Sequence, residues 1–166
     1  MEIFFNILEV FIIKQNGMKE KNKKIEIKKI KKKLVEISHT FVRKRDSVND
    51  YEISGYCCTC GKFCEAGNFQ AGHYEPDSTG GALLRYHPRN MHGQGGYCCN
   101  INRHGQQRMA NQYTMFMIGK YGIDYVNKLR ALKNKTIQAD IIFYQTLLDL
   151  YLAGDEEKIV EFLDNK

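Results

Sequence analysis

Several things are missing from this sequence of 166 residues, and each absence narrows what it can be. No segment repeats itself at a period of roughly 20–50 residues, which excludes a solenoid. The longest apolar run, Ile3 to Ile13, carries Asn6 and Glu9 and falls short of the roughly 20 residues a bilayer-spanning helix needs. That run also has no basic leader and no small-residue cleavage site, so it does not read as a secretory signal. Acidic residues are scarce where basic ones are dense: thirteen of the twenty-five Lys and Arg lie between Lys14 and Arg45, against Glu20, Glu26 and Glu36 alone. A basic segment beside a nearly neutral remainder suggests a polyanionic partner, most simply nucleic acid.

What is present is enough for one domain plus extensions: 43% hydrophobic residues, a net charge of +6 and six cysteines, all between Cys57 and Cys99. Their clustering, the Cys57-x-x-Cys60 spacing and the missing secretory signal favour a metal site in a cytoplasmic protein over a secreted disulfide framework. Tyr56-Cys-Cys-Thr-Cys60-Gly61 has the form of a zinc knuckle, in which two thiolates flank a tight turn and the glycine permits the backbone shape that aims both sulfurs at one ion. Such a knuckle needs a second pair, and Cys98-Cys99 is the later supply. Cys58 and Cys64 read as small buried hydrophobes.

In chain order, Met18 offers an ordinary start before the lysine run, so residues 1–17 are either an over-extended gene start or an accessory segment. From Lys19 to Asp46, apolar Ile30, Leu34, Ile37 and Phe41 recur at helical steps and predict a basic helical arm over 18–50 with one buried stripe. Its lysines are either a solvated face or phosphate contacts whose counterion release gives salt-dependent affinity. His39 reads as solvated. Asp46 to Gly55 reads as a linker, Asn68 to Tyr74 as a strand ending at a histidine, Pro76 to Gly81 as a loop, and Leu83–Tyr86 with Met91–His92 as extended chain. Four helices follow: one with Met109, Tyr113, Phe116 and Met117 inward, one over about 123–133, one over about 136–152, and a short acidic one with Ile159, Val160 and Leu163.

A strand ending in His, a loop, an Asn two residues before a second His, paired cysteines and an Asn after them form the order a ββα-metal nuclease needs. Phosphodiester hydrolysis requires an activated water in line with the scissile bond and a cation to absorb charge. Histidine suits the base, and an uncharged amide oxygen suits a hard divalent ion.

The residues Phe41-Val-Arg43-Lys-Arg45-Asp46, Cys57-x-x-Cys60-Gly61, Ala71-Gly-His73-Tyr74, Leu84-Arg85-Tyr86, Asn90-Met-His92-x-Gln94 and Cys99-Asn100 resemble the phage NinG/Rap recombination nucleases, within the wider HNH or His-Me finger class. The resemblance runs from about Phe41 to Lys133. It implies a zinc-stabilised nuclease acting on branched DNA in the cytoplasm of a bacterial host. Position by position, His73 would be the general base, Asn90 its orienter, and Asn100 a ligand of catalytic Mg2+ or Mn2+. His92 would lie near the phosphate or the metal. Arg85 would clamp phosphate, with Arg43, Arg45 and Arg103 contacting DNA. Structural Zn2+ would be held by Cys57, Cys60, Cys99 and Cys98, the last with Cys64 or His104 as alternatives.

The expected architecture is α+β: a zinc-stabilised, treble-clef-like ββα-metal (His-Me finger) core over 51–120, the basic arm before it, and C-terminal helices over 121–166. No membrane contact is expected, and symmetric cutting would require a homodimer. A zinc-stabilised DNA-binding recombination accessory protein without catalysis is the second function class. A redox or disulfide protein is a third.

Overall fold

The stripe of Ile30, Leu34, Ile37 and Phe41 belongs, in the computed structural model, to one long helix, α1 (Glu2–Asp46). The structure describes residues 2–49, 51–76, 81–100 and 107–166, and side chains from Lys19 onward. From Lys19 to Lys29 every side chain of α1 except Ile27 is exposed, and Ile30 is the first to be buried. Beyond it Leu34, Ser38 and Val42 are sealed in the interior. The helix runs unbroken through residues 17 and 18.

After α1 the chain does not wander as a linker. Ser47 ties the loop across its base: its hydroxyl donates to the Ser54 carbonyl at 2.9 Å and accepts from the Ser54 amide at 3.2 Å. A hairpin follows, β1 (Gly55–Tyr56) antiparallel to β2 (Phe63–Cys64). A second antiparallel pair joins β3 (Phe69–His73) to β4 (Met91–Gly95), with His73 opposite Met91 and Gly72 opposite His92.

This β3–β4 pair lies between two helices. Val42 of α1 packs with Ala71 and Met91 on one face. On the other, α3 (Gln107–Tyr121) places the Phe116 ring 4.9 Å from that of His92, and its Tyr113 hydroxyl donates to the Gly72 carbonyl at 2.7 Å. The alternation of a strand accounts for the division, since Ala71 and His73 point one way and Gln70 and Gly72 the other.

Between β3 and β4 stands a short helix, α2 (Gly81–Arg85), where extended chain was expected. Two adjacent buried residues, Leu83 and Leu84, fit either period, and sequence alone had no way to choose. The C-terminal helices are α4 (Ile123–Ala131), α5 (Ile141–Ala153) and α6 (Glu156–Asp164). Val126, Leu129, Ile159, Val160 and Leu163 are buried as their spacing predicts. Helix α5 starts five residues later than expected because Asp140 caps it, accepting from the Phe143 amide at 2.9 Å. The main core gathers where α1 meets α5, with the Phe41 and Tyr151 rings edge to face at 5.5 Å.

The Phe69 ring lies across β4 at Gly93, where an added Cβ would sit 2.1 Å from the ring. Gly93→Ala is therefore expected to lower stability by about 3 kcal/mol, because a fully buried ring hemmed by cysteines has little room to retreat. Urea denaturation reads this directly, and an unchanged midpoint would show that Phe69 shifts without cost.

Candidate functional site

Two centres flank the β3–β4 pair. The first is made of sulfur. Cys57 and Cys60 sit in the β1–β2 turn, which is closed by hydrogen bonds from the Gly61 amide to the Cys57 carbonyl and from the Cys57 amide to the Lys62 carbonyl, each 2.8 Å. Gly61 has φ +72°, the left-handed conformation the knuckle turn requires. Cys98 and Cys99 sit in a π-helical turn, Gly96–Asn100. This wider turn brings two successive cysteines to one point, and the four Sγ atoms all lie within 4.8 Å of one another. A zinc ion bonded to four sulfurs at about 2.3 Å needs sulfur–sulfur edges of about 3.8 Å. The cluster can therefore hold a metal such as zinc, with Cys98 and Cys99 both contributing.

None of the six cysteines forms a disulfide. Cys64 is buried against the cluster, and a Cβ on Gly95 would meet both Cys64 Sγ at 2.7 Å and Cys98 Sγ at 2.4 Å. Burial opposes a thiolate at Cys57, yet amides of Gly95, Cys60 and Thr59 outweigh it and hold that thiol below its ordinary pKa. Burial pushes Cys98 up to about 12. Thiols bind a cation as thiolates, so such a site releases protons when it takes one up. His104, an alternative ligand, lies outside the described residues, as does Arg103.

The second centre is a groove. His73, half-buried at the end of β3, has Nε2 2.9 Å from the Arg85 carbonyl. A carbonyl only accepts, so Nε2 carries the hydrogen and Nδ1 is the unprotonated nitrogen of the neutral ring. Asn90 spends its side chain on the backbone around that imidazole. Its buried amide donates to the carbonyls of Glu75 and Leu84, both at 3.0 Å, and accepts from the Glu75 amide at 2.9 Å. It thus ties the backbone two residues after His73 to the residue before the carbonyl that holds the ring. Arg85 itself is exposed at the end of α2.

Beside His73, α1 and the edge of β3 enclose a cavity of about 340 Å3, lined by Glu36, His39, Thr40, Arg43, Gln70 and Asn100 among others. The His39 and His73 ring centroids are 5.7 Å apart. Asn100 donates to Gln70 Oε1 at 2.9 Å, and its own Oδ1 lies 3.2 Å from where a Cβ on Gly72 would be. Asn100 therefore reaches the groove from the face of β3 opposite to the one His73 occupies.

A family model described as bacteriophage lambda NinG protein matches residues 12–154, a span that contains both centres. The chain belongs to the NinG family. No curated protein and no solved structure matches it. Membership in the NinG family points to a role in phage recombination. No helix among the described residues is long and apolar enough to cross a membrane.

Two residues expected at the chemistry of this NinG-family chain are elsewhere. His92 is fully buried, with Nδ1 3.0 Å from Asp46 Oδ2 and Nε2 3.2 Å from the Tyr121 hydroxyl. Burial lowers its pKa to about 4, so the ring is neutral and its contact with Asp46 is a hydrogen bond rather than an ion pair. Neither phosphate nor a hydrated ion reaches it there. Arg45, expected on DNA, turns inward to the Asp46 carboxylate at 2.8 Å, the carbonyls of Pro88 and Met91, and Glu156. Its planar fork suits this many acceptors, and it locks the end of α1 to β4. Conversely, Glu36 and His39 were not anticipated in the groove. Their spacing with Thr40 and Arg43 is that of a single helical face flanking the apolar stripe, a signal masked by the surrounding lysines.

Proposed function

We propose that this NinG-family protein is a divalent-metal-dependent endonuclease acting on branched recombination DNA, with the β3–β4 pair and α3 as its ββα-metal core. The observation that carries this reading is the His73 imidazole, pinned through Nε2 to the Arg85 carbonyl with its ring 5.7 Å from that of His39, which lines the groove with Arg43 and Asn100. Nδ1 of such a ring is poised to take a proton from water. Arg43 lines the groove with one Nη donating to the Thr40 hydroxyl at 3.3 Å, and its guanidinium suits a phosphate oxygen. Arg85, exposed beside His73, would clamp a neighbouring phosphate.

The groove offers oxygens from Glu36, Gln70 and Asn100 beside the His39 imidazole and no thiol, a donor set that fits Mg2+ or Mn2+ rather than a thiophilic metal. When bound, such an ion would offset charge growing on the phosphate. The cysteine cluster would hold zinc for structure. The lysines of α1 would add salt-sensitive affinity for either duplex arm.

The second reading, a zinc-stabilised DNA-binding accessory protein without catalysis, has one observation in its favour: His73 and Asn100 approach from opposite faces of β3. Cleavage of branched and linear duplex DNA with and without divalent metal separates the two. His73→Ala is expected to slow cleavage about 100- to 10,000-fold while melting and DNA affinity stay near wild type. Full activity in that variant would remove His73 from the chemistry. Salt-sensitive junction binding with no nicking by the wild type in either metal would establish the accessory role.

A further inference from the structure

We propose that Tyr97, Tyr56 and Phe63 form a stacking platform for unpaired bases at a branch point, and so select branched DNA over linear duplex; this rests on the branched-DNA substrate of the reading above. The sulfur centre then does more than hold the fold, because it carries the surface that recognises the substrate.

Three observations lead there. Each ring belongs to the residue immediately before a cysteine of that centre or packed against it: Tyr56 before Cys57, Phe63 before Cys64, Tyr97 before Cys98. In the β1–β2 hairpin, the alternation that turns Cys57 and Cys64 inward turns Tyr56 and Phe63 outward, where they meet across the strands edge to face at 5.5 Å. Tyr56 is 60% exposed, Phe63 53% and Tyr97 76%, so the core gains little from them.

The second observation is place. Tyr97 follows Gly96, where an added Cβ would sit 2.8 Å from Nε2 of Gln70, a residue that lines the groove with Arg43. The Tyr97 amide is itself held, donating to Asn68 Oδ1 at 3.1 Å. Its ring thus stands on an anchored turn at the rim of the groove, beside the path of a strand lying against Arg43 and Gln70.

The third is the chemistry of the occupant. Lys62, exposed next to Phe63, sets a cation beside the rings. Cations interspersed with rings match a strand in which phosphates alternate with flat bases, and every base has a face that stacks whatever its sequence. In a continuous duplex those faces are closed off by neighbouring pairs, whereas a branch opens them. Phosphate contacts along α1 do not tell the two apart.

The test uses the full-length protein without added magnesium or manganese, so that binding is read apart from cutting. The probes are a forked duplex with 2-aminopurine at its first unpaired position and a linear duplex of equal length with the same label paired. Wild type is expected to bind the fork more tightly and to quench its fluorescence as the base stacks. Tyr97→Ser is expected to bind the fork about 10-fold more weakly and quench it less, with linear-duplex affinity within about twofold of wild type. Tyr97→Phe keeps the ring and should match wild type. Tyr56→Thr combined with Phe63→Thr keeps strand-forming residues and should also weaken fork binding alone. Unaltered melting of the variants separates loss of the platform from loss of fold. Equal weakening on both DNAs, or unchanged fork affinity in the variants, would overturn the platform. So would a wild type that neither prefers the fork nor quenches it, a result that would leave the rings to a protein partner. A wild type that stacks the base yet cuts no branched DNA once magnesium or manganese is added would overturn the nuclease reading and leave the platform standing.

Discussion

Cys99→Ser is expected to destabilise the protein by several kcal/mol, a large part of the roughly 5–15 kcal/mol that holds a domain of this kind together. Cys99 is completely buried, and its sulfur is one of four within 4.8 Å of one another. Among the described residues, the apolar cluster around it has Cys57, Cys64, Phe69 and Cys99 as its fully enclosed members, few to order a glycine-rich region unaided. A bound ion would supply the difference, since structural zinc contributes its binding free energy to folding. Chelation of the wild type should reproduce the melting curve of the variant, with about one equivalent of zinc released per chain. Identical melting of native, chelated and Cys99→Ser protein would eliminate a structural metal.

Asp46→Ala is the second large effect, expected to cost about 3–5 kcal/mol because it leaves a buried arginine short of its main counter-charge. Asp46 accepts from Arg45 Nε at 2.8 Å and Nη2 at 3.0 Å, from the Gly93 amide at 2.9 Å, and from His92. Burial disfavours its charge, but hydrogen bonds from His92 and Arg45 prevail and hold the carboxyl far below the usual carboxylate range. A carboxylate depressed in the native state contributes stability above its unfolded pKa of about 3.9, and this is lost as pH falls toward the native value.

His92 adds a loss at milder acidity. Burial lowers its pKa to about 4, so between pH 6.5 and 4 the unfolded chain takes up a proton that the native one does not. Buried His87, paired with Asp164, is lowered for the same reason. Stability should therefore fall by about 2–3 kcal/mol from pH 7 to pH 4 on account of His92. Melting temperature against pH measures it. A His92→Gln protein should show a shallower slope, and an unaltered slope would place the acid sensitivity elsewhere.

Much of this was legible in the residues themselves. Periodicity located α3, α4, α6 and the part of α1 from Lys19 onward, and the knuckle spacing pointed to Cys57 and Cys60. What resisted was whatever depends on backbone shape or distant partners. Two adjacent cysteines normally diverge, and only the π-helical turn at Gly96–Asn100 lets both reach one point. Arg43-Lys44-Arg45 looks uniformly like a DNA-contacting run. Only the β4 backbone, more than forty residues away, reveals that Arg45 faces inward while Arg43 opens to the groove. His92 has the same history, since nothing near it in the chain announces Asp46.

The bare portion of α1, from Lys19 to Lys29, projects about 15 Å past the first buried turn. Duplex DNA lying along it would be touched for a further four or five base pairs, at about 3.4 Å each, outside the footprint of the folded body. Because the rod is continuous with the turn that bears His39, its bearing on that duplex would set the angle at which a strand enters the groove.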